Sequence, residues 1–316
     1  MRFPAHRGLF FCLSITLSVC SCETMESSLI DFSLYNEENG QTIIPSEKQI
    51  DIKVIQIMPL QSNLTPSAQG GDCWDDWFFQ FSNYNRCVRV YNLAEKQLKQ
   101  ECTIQARDKG FVSNCHCNSV CFGSSFYEEG DEFPLLYVST GYTQDGFSGA
   151  LVYRVVKKGG LFSFSLVQTI RLPILNSSWT EFIPAGDVCY VGYTGDFIVY
   201  KCPMPSPHAG DVIIDGSKDA IEFFQFPSQP EEIKTSRNQG KLFYHGKIIY
   251  PSGVPQTGEA SVLFILDLNS RTYEHIFSFP EMGLLKEPES VFFWKGSLCV
   301  AFLDQIVSFE FTPSIF

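Results

Sequence analysis

The chain has little positive charge: 23 lysines and arginines stand against 35 aspartates and glutamates over 316 residues, a net charge of -12. The cations are scattered, and an acidic surface repels phosphate, so no nucleic-acid or anionic-membrane footprint is expected. Long apolar runs are missing too; no segment reaches the ~18 consecutive apolar residues of a membrane-spanning helix. Convincing helical periodicity is almost absent from Gln49 onward. Motifs are absent as well, with no Gly-x-Gly-x-x-Gly, Walker loop, His-Glu-x-x-His or Gly-x-Ser-x-Gly. Histidine is scarce: beyond residue 21 there are only His116, His208, His245 and His275, little material for a histidine-based triad. No cofactor and no metal are expected.

Aromatic residues, by contrast, are abundant. The 29 Phe, 13 Tyr and 4 Trp, with 23 Gly and 17 Pro, favour short strands joined by turns, and 44% hydrophobic residues suffice for a core. The fold class expected is all-β.

At the front, Arg2 and Arg7 precede an uncharged, largely apolar stretch from Gly8 to Val19, the length of a signal-peptide core and too short to span a bilayer. Val19-Cys20-Ser21-Cys22 follows and resembles a bacterial lipobox, which makes Cys22 the lipidation candidate. Residues 1–21 therefore read as a lipoprotein signal peptide and 22–48 as a lipid-anchored polar tether. The expected location is the bacterial cell envelope, at the outer membrane or cell surface, with the lipid as the only membrane contact.

Residues 49–316 repeat one pattern: a short strand, a turn, a second apolar strand, then longer strands. Glu289 to Phe302, Gly240 to Tyr250 and Thr180 to Val191 are the clearest copies, and Asn118 to Gly123 with Phe133 to Ser139 is a fourth. Taking Tyr137, Cys189, Ile249 and Cys299 as equivalent gives intervals of 52, 60 and 50 residues, a blade-sized period. Trp77 to Phe81, Arg86 to Tyr91 and Gln97 to Ile104 supply a fifth blade with a weak innermost strand. The last copy lacks its outermost strand, and Gln49 to Ile57 is an orphan strand that would complete it. The expected fold is a five-bladed β-propeller closed by an N-terminal strand.

Nine cysteines follow Cys22. With Gly195-Asp196 as a two-residue turn, Cys189 falls opposite Cys202 at a non-hydrogen-bonded position, the best disulfide candidate. Cys121 and Cys299 read as core residues. Cys115-His116-Cys117 has poor spacing for zinc, and Asp215 to Asp219 reads as a turn more than a calcium loop.

In a propeller the innermost strands surround an axial funnel. The segments just before them hold the ligand-binding candidates Trp74, Asp76, His116, Asn118, Trp179, Glu181, Arg237, Asn238, Glu287 and Glu289. Aromatics there would stack on a sugar face, amides would bond hydroxyls, and arginine would take a carboxylate or phosphate. The layout resembles extracellular five-bladed propellers, a class that includes glycosidases with funnel carboxylates; it is also similar to uncharacterised lipoproteins of gut Bacteroidetes. The expected function is binding of a polar small molecule or glycan without catalysis. The alternatives are a glycoside hydrolase or lyase, in which Asp75 or Asp76 with Glu181 or Glu289 would supply two carboxyls about 5 to 9.5 Å apart, and a scaffold for an envelope protein partner.

Overall fold

The computed structural model describes residues 50–61, 67–82, 87–104, 117–140, 148–173, 180–193, 198–226, 237–312 and 315–316. The leader, the tether, Cys22, His116 and Trp179 lie outside the described residues. Five antiparallel sheets form the five blades of a propeller. Blade 1 is β2 (Ala68–Trp74), β3 (Trp77–Ser82), β4 (Cys87–Asn92) and β5 (Gln97–Thr103). Blade 2 is β6 (Cys117–Phe122), β7 (Leu136–Thr140), β8 (Gly149–Lys158) and β9 (Leu161–Arg171), with β13 (Val212–Ile213) added in parallel at its outer edge. Blade 3 comprises β10 (Thr180–Ala185), β11 (Val188–Tyr193), β12 (Ile198–Pro203) and β14 (Glu222–Gln225). Blade 4 runs through β15 (Leu242–Tyr244), β16 (Lys247–Ser252), β17 (Val262–Asp267) and β18 (Thr272–Ser278). Blade 5 has β19 (Pro288–Trp294), β20 (Ser297–Phe302) and β21 (Gln305–Thr312), and its outer strand is β1 (Asp51–Pro59).

The closure expected from sequence is therefore present, with Asp51 opposite Thr312 and Pro59 opposite Gln305. Tight turns join inner strands to their neighbours: His245-Gly246 and Lys295-Gly296 both carry positive φ at each residue, the conformation that a two-residue hairpin needs.

Burial explains why the strands read as continuous apolar runs. A blade has a neighbour on each face, so successive residues of a strand enter different cores. Phe78 packs between blades 5 and 1, while Phe79 packs between blades 1 and 2. Ile248 and Ile249 divide in the same way between the two faces of blade 4. The described residues contain five buried clusters, and they correspond to the five interfaces. An aromatic pair bridges every one: Phe79–Phe122, Tyr137–Phe182, Tyr190–Phe243, Tyr244–Phe293 and Phe78–Phe292. The high aromatic content is spent on these junctions.

Two expectations are corrected. In blade 1 the innermost strand is Ala68–Trp74, and Trp77–Ser82 is second. Its Ala-Gln-Gly-Gly-Asp start lacks strand-forming residues because glycine is required sterically: a Cβ on Gly70 would lie 2.7 Å from the Cys117 and Asn118 carbonyl oxygens, and one on Gly71 2.7 Å from Phe79 O. Cys189 does pair with Cys202 in the register, but both are free thiols. Met204 N donates to Asp187 O, so counting along the ladder puts Cys189 and Cys202 at a hydrogen-bonded position, opposite to the expected phase. Cβ atoms stand further apart there than at a non-hydrogen-bonded position, which works against a bridge. Cys121 and Cys299 are buried, as read, and Asp215 caps the single helical turn α1 (Gly216–Asp219) by accepting from Ser217 N.

Gly70→Ala should cost about 1–3 kcal/mol of folding free energy, the usual range for overpacking. Gly192→Ala, where a Cβ meets nothing within 4 Å, should stay within about 0.5 kcal/mol. Urea unfolding of both variants checks this, and equal effects would contradict the close approach.

Candidate functional site

The innermost strands share an irregularity at one level. In blade 1 the pairing slips by one residue between Ala68 and Gly71, in blade 2 between Cys117 and Ser119, and in blade 5 between Pro288 and Ser290. In blade 4 Asn238 bridges Ser252 while Leu242 pairs with Ile249, one residue out of step. Each slip leaves an extra residue in the inner strand, within Gln69–Gly70, at Asn118, within Gln239–Lys241 and at Glu289. Only β10 pairs without a slip. A bulge releases a residue from the ladder and re-aims its side chain. Four at one level, at the leading ends of the inner strands, make a polar collar around the axis.

Its centre is bonded across three blades. Asn118 Nδ2 donates to Glu181 Oε1 at 2.9 Å and to Asn238 O at 3.2 Å. Lys241 Nζ pairs with the same Glu181 oxygen at 3.1 Å, and both side chains are almost fully buried. The ammonium also lies 4.8 Å from the centre of the Tyr250 ring. Burial pushes Lys241 below the ordinary lysine range, and the Glu181 carboxylate partly offsets that. The Lys241 N–H donates to Ser119 Oγ at 3.2 Å, and Cys121 Sγ donates to Lys241 O at 3.0 Å. Gly240 N donates to Glu289 O, and a Cβ at Gly240 would lie 2.9 Å from that oxygen.

Around this centre several buried oxygens have no hydrogen-bond partner among the described residues: Gln69 Oε1, Glu181 Oε2, Ser290 Oγ and both oxygens of Glu289. Glu289 is 1% exposed. Burial holds its carboxyl well above the usual carboxylate range, and repulsion from Glu287 adds to this. Glu287 is half-buried, accepts from Gln239 Nε2 at 2.7 Å, and is itself raised by burial. Between blades 3 and 4 a cleft lined in part by Asn238, Lys241, Tyr250 and Tyr273 has room for about one water molecule.

Of the residues expected to converge, the structure brings Asn118, Glu181 and Asn238 together and places Glu289 on β19 at the same level, with Glu287 just ahead of that strand. Arg237 stays exposed and pairs with Glu259 of its own blade at 3.0 Å. Trp74, Asp75 and Asp76 sit at the opposite end, because they form the hairpin after β2 rather than the approach to it. Asp76 accepts from Trp294 Nε1 at 3.0 Å and joins the hairpins of blades 1 and 5. Trp74 packs beside Phe122 and Phe126. Sequence reading missed Lys241, Gln69 and Ser290; the signal available was a polar residue beside a glycine at the leading end of an inner strand, as in Gln69-Gly70 and Gly240-Lys241. Among the described residues no three or more His, Cys, Asp or Glu side chains group closely enough to hold a metal ion.

No protein-family model and no curated protein matches the chain. Solved structures do. A crystal structure of glutaminyl cyclase from Myxococcus xanthus aligns with a TM-score of 0.51 at 13% identity, over 82% of this chain and 96% of that one. The PQQ-bound aldose sugar dehydrogenase of Streptomyces coelicolor aligns at 0.48 and 10% identity, over 83% and 98%. The cyclase likeness places the chain in the β-propeller class by fold.

Asp72 gives a pH-dependent prediction. Burial raises its carboxyl from 3.8 to about 7, against backbone N–H bonds from Phe122 and Cys73 that lower it. The native state thus holds a proton that the unfolded chain has lost, so this stabilisation is complete below about pH 4 and lost as pH rises through about 7. Asp72→Asn should be most destabilising, relative to the parent, at low pH, and the gap should narrow by up to about 4 kcal/mol by pH 8. Urea unfolding across that range checks it; a constant gap would show that Asp72 does not titrate in this window.

Proposed function

We propose that the chain is an exported, lipid-anchored propeller that binds a small polar ligand, with carbohydrate the leading class, in its axial collar and without catalysis. The observation that supports this is the set of orphaned buried oxygens on Gln69, Glu181, Ser290 and Glu289. A fold ordinarily satisfies such groups, and leaving them unmade costs about 1–3 kcal/mol each. A ligand rich in donors would satisfy them. The cyclase and dehydrogenase activities belong to the neighbours that carry those names, and at 13% and 10% identity they are not transferred.

One observation favours catalysis as a second reading. Glu181 has a cationic partner, whereas Glu289 lacks one and burial favours its neutral form. Two carboxyls in such different surroundings are the arrangement of an acid and a base. Asp75 and Asp76 take no part in it.

A thermal-shift screen against oligosaccharides, with product analysis on the same samples, separates the readings. A ligand at a hundredfold excess over its Kd should add about 2.7 kcal/mol of stability. A shift without products supports binding; products that disappear in Glu181→Gln while the shift persists support the hydrolase or lyase; no shift with any sugar removes the carbohydrate class. For the anchor, mass spectrometry of the membrane-extracted protein should find diacylglycerol on Cys22, and Cys22→Ser should move the protein to the aqueous phase of a detergent partition. An unmodified Cys22 would overturn the anchor.

A further inference from the structure

We propose that Glu289 receives the ammonium group of a primary amine, so that the ligand of the collar is an amino sugar or a diamine rather than a neutral sugar. This rests on the collar being a ligand site and names the chemistry it selects.

Four acids lie on the inner strands or at their leading ends, and three have donors. Asp72 accepts two backbone N–H groups, Glu181 takes Asn118 and Lys241, and Glu287 takes Gln239. Glu289 has the bulged position of β19, 1% exposure and, among the described residues, no donor on either oxygen. The charged group that bears on it is another carboxyl, Glu287. A buried carboxylate is tolerated when a cation faces it, and the described residues supply none here.

The other orphaned atoms narrow the choice. Gln69 Oε1, Glu181 Oε2 and Asn238 Oδ1 are acceptors only, and Ser290 Oγ can also accept. An ammonium head offers donors alone, whereas a hydroxyl also turns lone pairs toward these oxygens. A metal ion would need several hard oxygen ligands at once, and the described acids do not group in threes. An ammonium is also no larger than a water molecule, which suits a carboxyl sealed this deeply. The Gln239–Glu287 bond, two residues nearer the mouth of the collar, would part to admit it.

Titration calorimetry on the full chain with matched probes tests this: putrescine against butanediol and glucosamine against glucose, at neutral pH, where the amines keep their charge and the carboxyl can give up its proton to pair with them. Each amine should bind at least about tenfold tighter than its neutral twin, a margin of about 1.4 kcal/mol. Glu289→Gln should erase that margin while the circular dichroism is unchanged; Glu287→Gln, at a half-buried position, should reduce it and covers the case in which the first variant does not fold. Equal affinity within each pair would overturn the amine and leave the polar-ligand reading standing. Calcium or magnesium displacing the amine would overturn it in favour of an inorganic cation, and no binding by any probe would overturn it together with the carbohydrate reading.

Discussion

Five sheets can share one axis only if their inner edges come within backbone contact, and the rest of this molecule follows from that crowding. Gly70 faces the carbonyls of blade 2 and Gly240 faces those of blades 5 and 2, because nothing larger fits. Backbone brought so close has hydrogen-bonding groups to satisfy, and bonds such as Lys241 N to Ser119 and Phe122 N to Asp72 satisfy them across blades rather than within one. Further out the blades diverge, and the widening wedge is filled by aromatic rings. Small residues at the centre and large ones in the wedges are two solutions to one geometry.

The blade pattern and the ring closure were legible in sequence because both faces of every blade are buried, so the strands appear as apolar runs at a regular interval. The N-terminal strand was legible because blade 5 was visibly one strand short. What failed was whatever depends on axial crowding. The inner strand of blade 1 is disguised by Gly70 and Gly71, and that displaced Trp74, Asp75 and Asp76 by a whole strand length, to the wrong end of the propeller. Asn118, Glu181 and Glu289 are legible because each is the second residue of a strong inner strand, and Asn238 because it lies a few residues ahead of one. Lys241, the residue immediately ahead of β15, reads as part of the apolar strand that follows it, and a one-residue bulge leaves no mark in hydrophobic periodicity. The Cys189–Cys202 register was right while its hydrogen-bond phase was not, because alternation fixes which residues are opposite and not which of them share backbone bonds.

The charges at the axis are a poor device for stability. A buried pair such as Glu181 and Lys241 seldom outweighs the desolvation of both groups, and apolar residues of similar volume often replace such pairs without loss. The pair sits where three blades meet, with an unsatisfied oxygen beside it, and Glu289 lies at the same level with two more. Polar groups left unfinished in a well-packed interior are the usual mark of a place where structure has been subordinated to chemistry.

The strand that closes the ring also sets an order of events. β1 and β21 lie at opposite ends of the described chain, so an emerging polypeptide can assemble blades 1 to 4 from neighbours in sequence but cannot seal the fifth until its last strand is made. Until then the edge of β20 is exposed, and joining the ends carries the loop-closure entropy of almost the whole domain. The ring closes through the contact of greatest sequence separation in the fold. A chain interrupted before residue 305 would keep the edge of β20 and the whole of β1 unpaired, and an open sheet edge is a template for pairing with other chains.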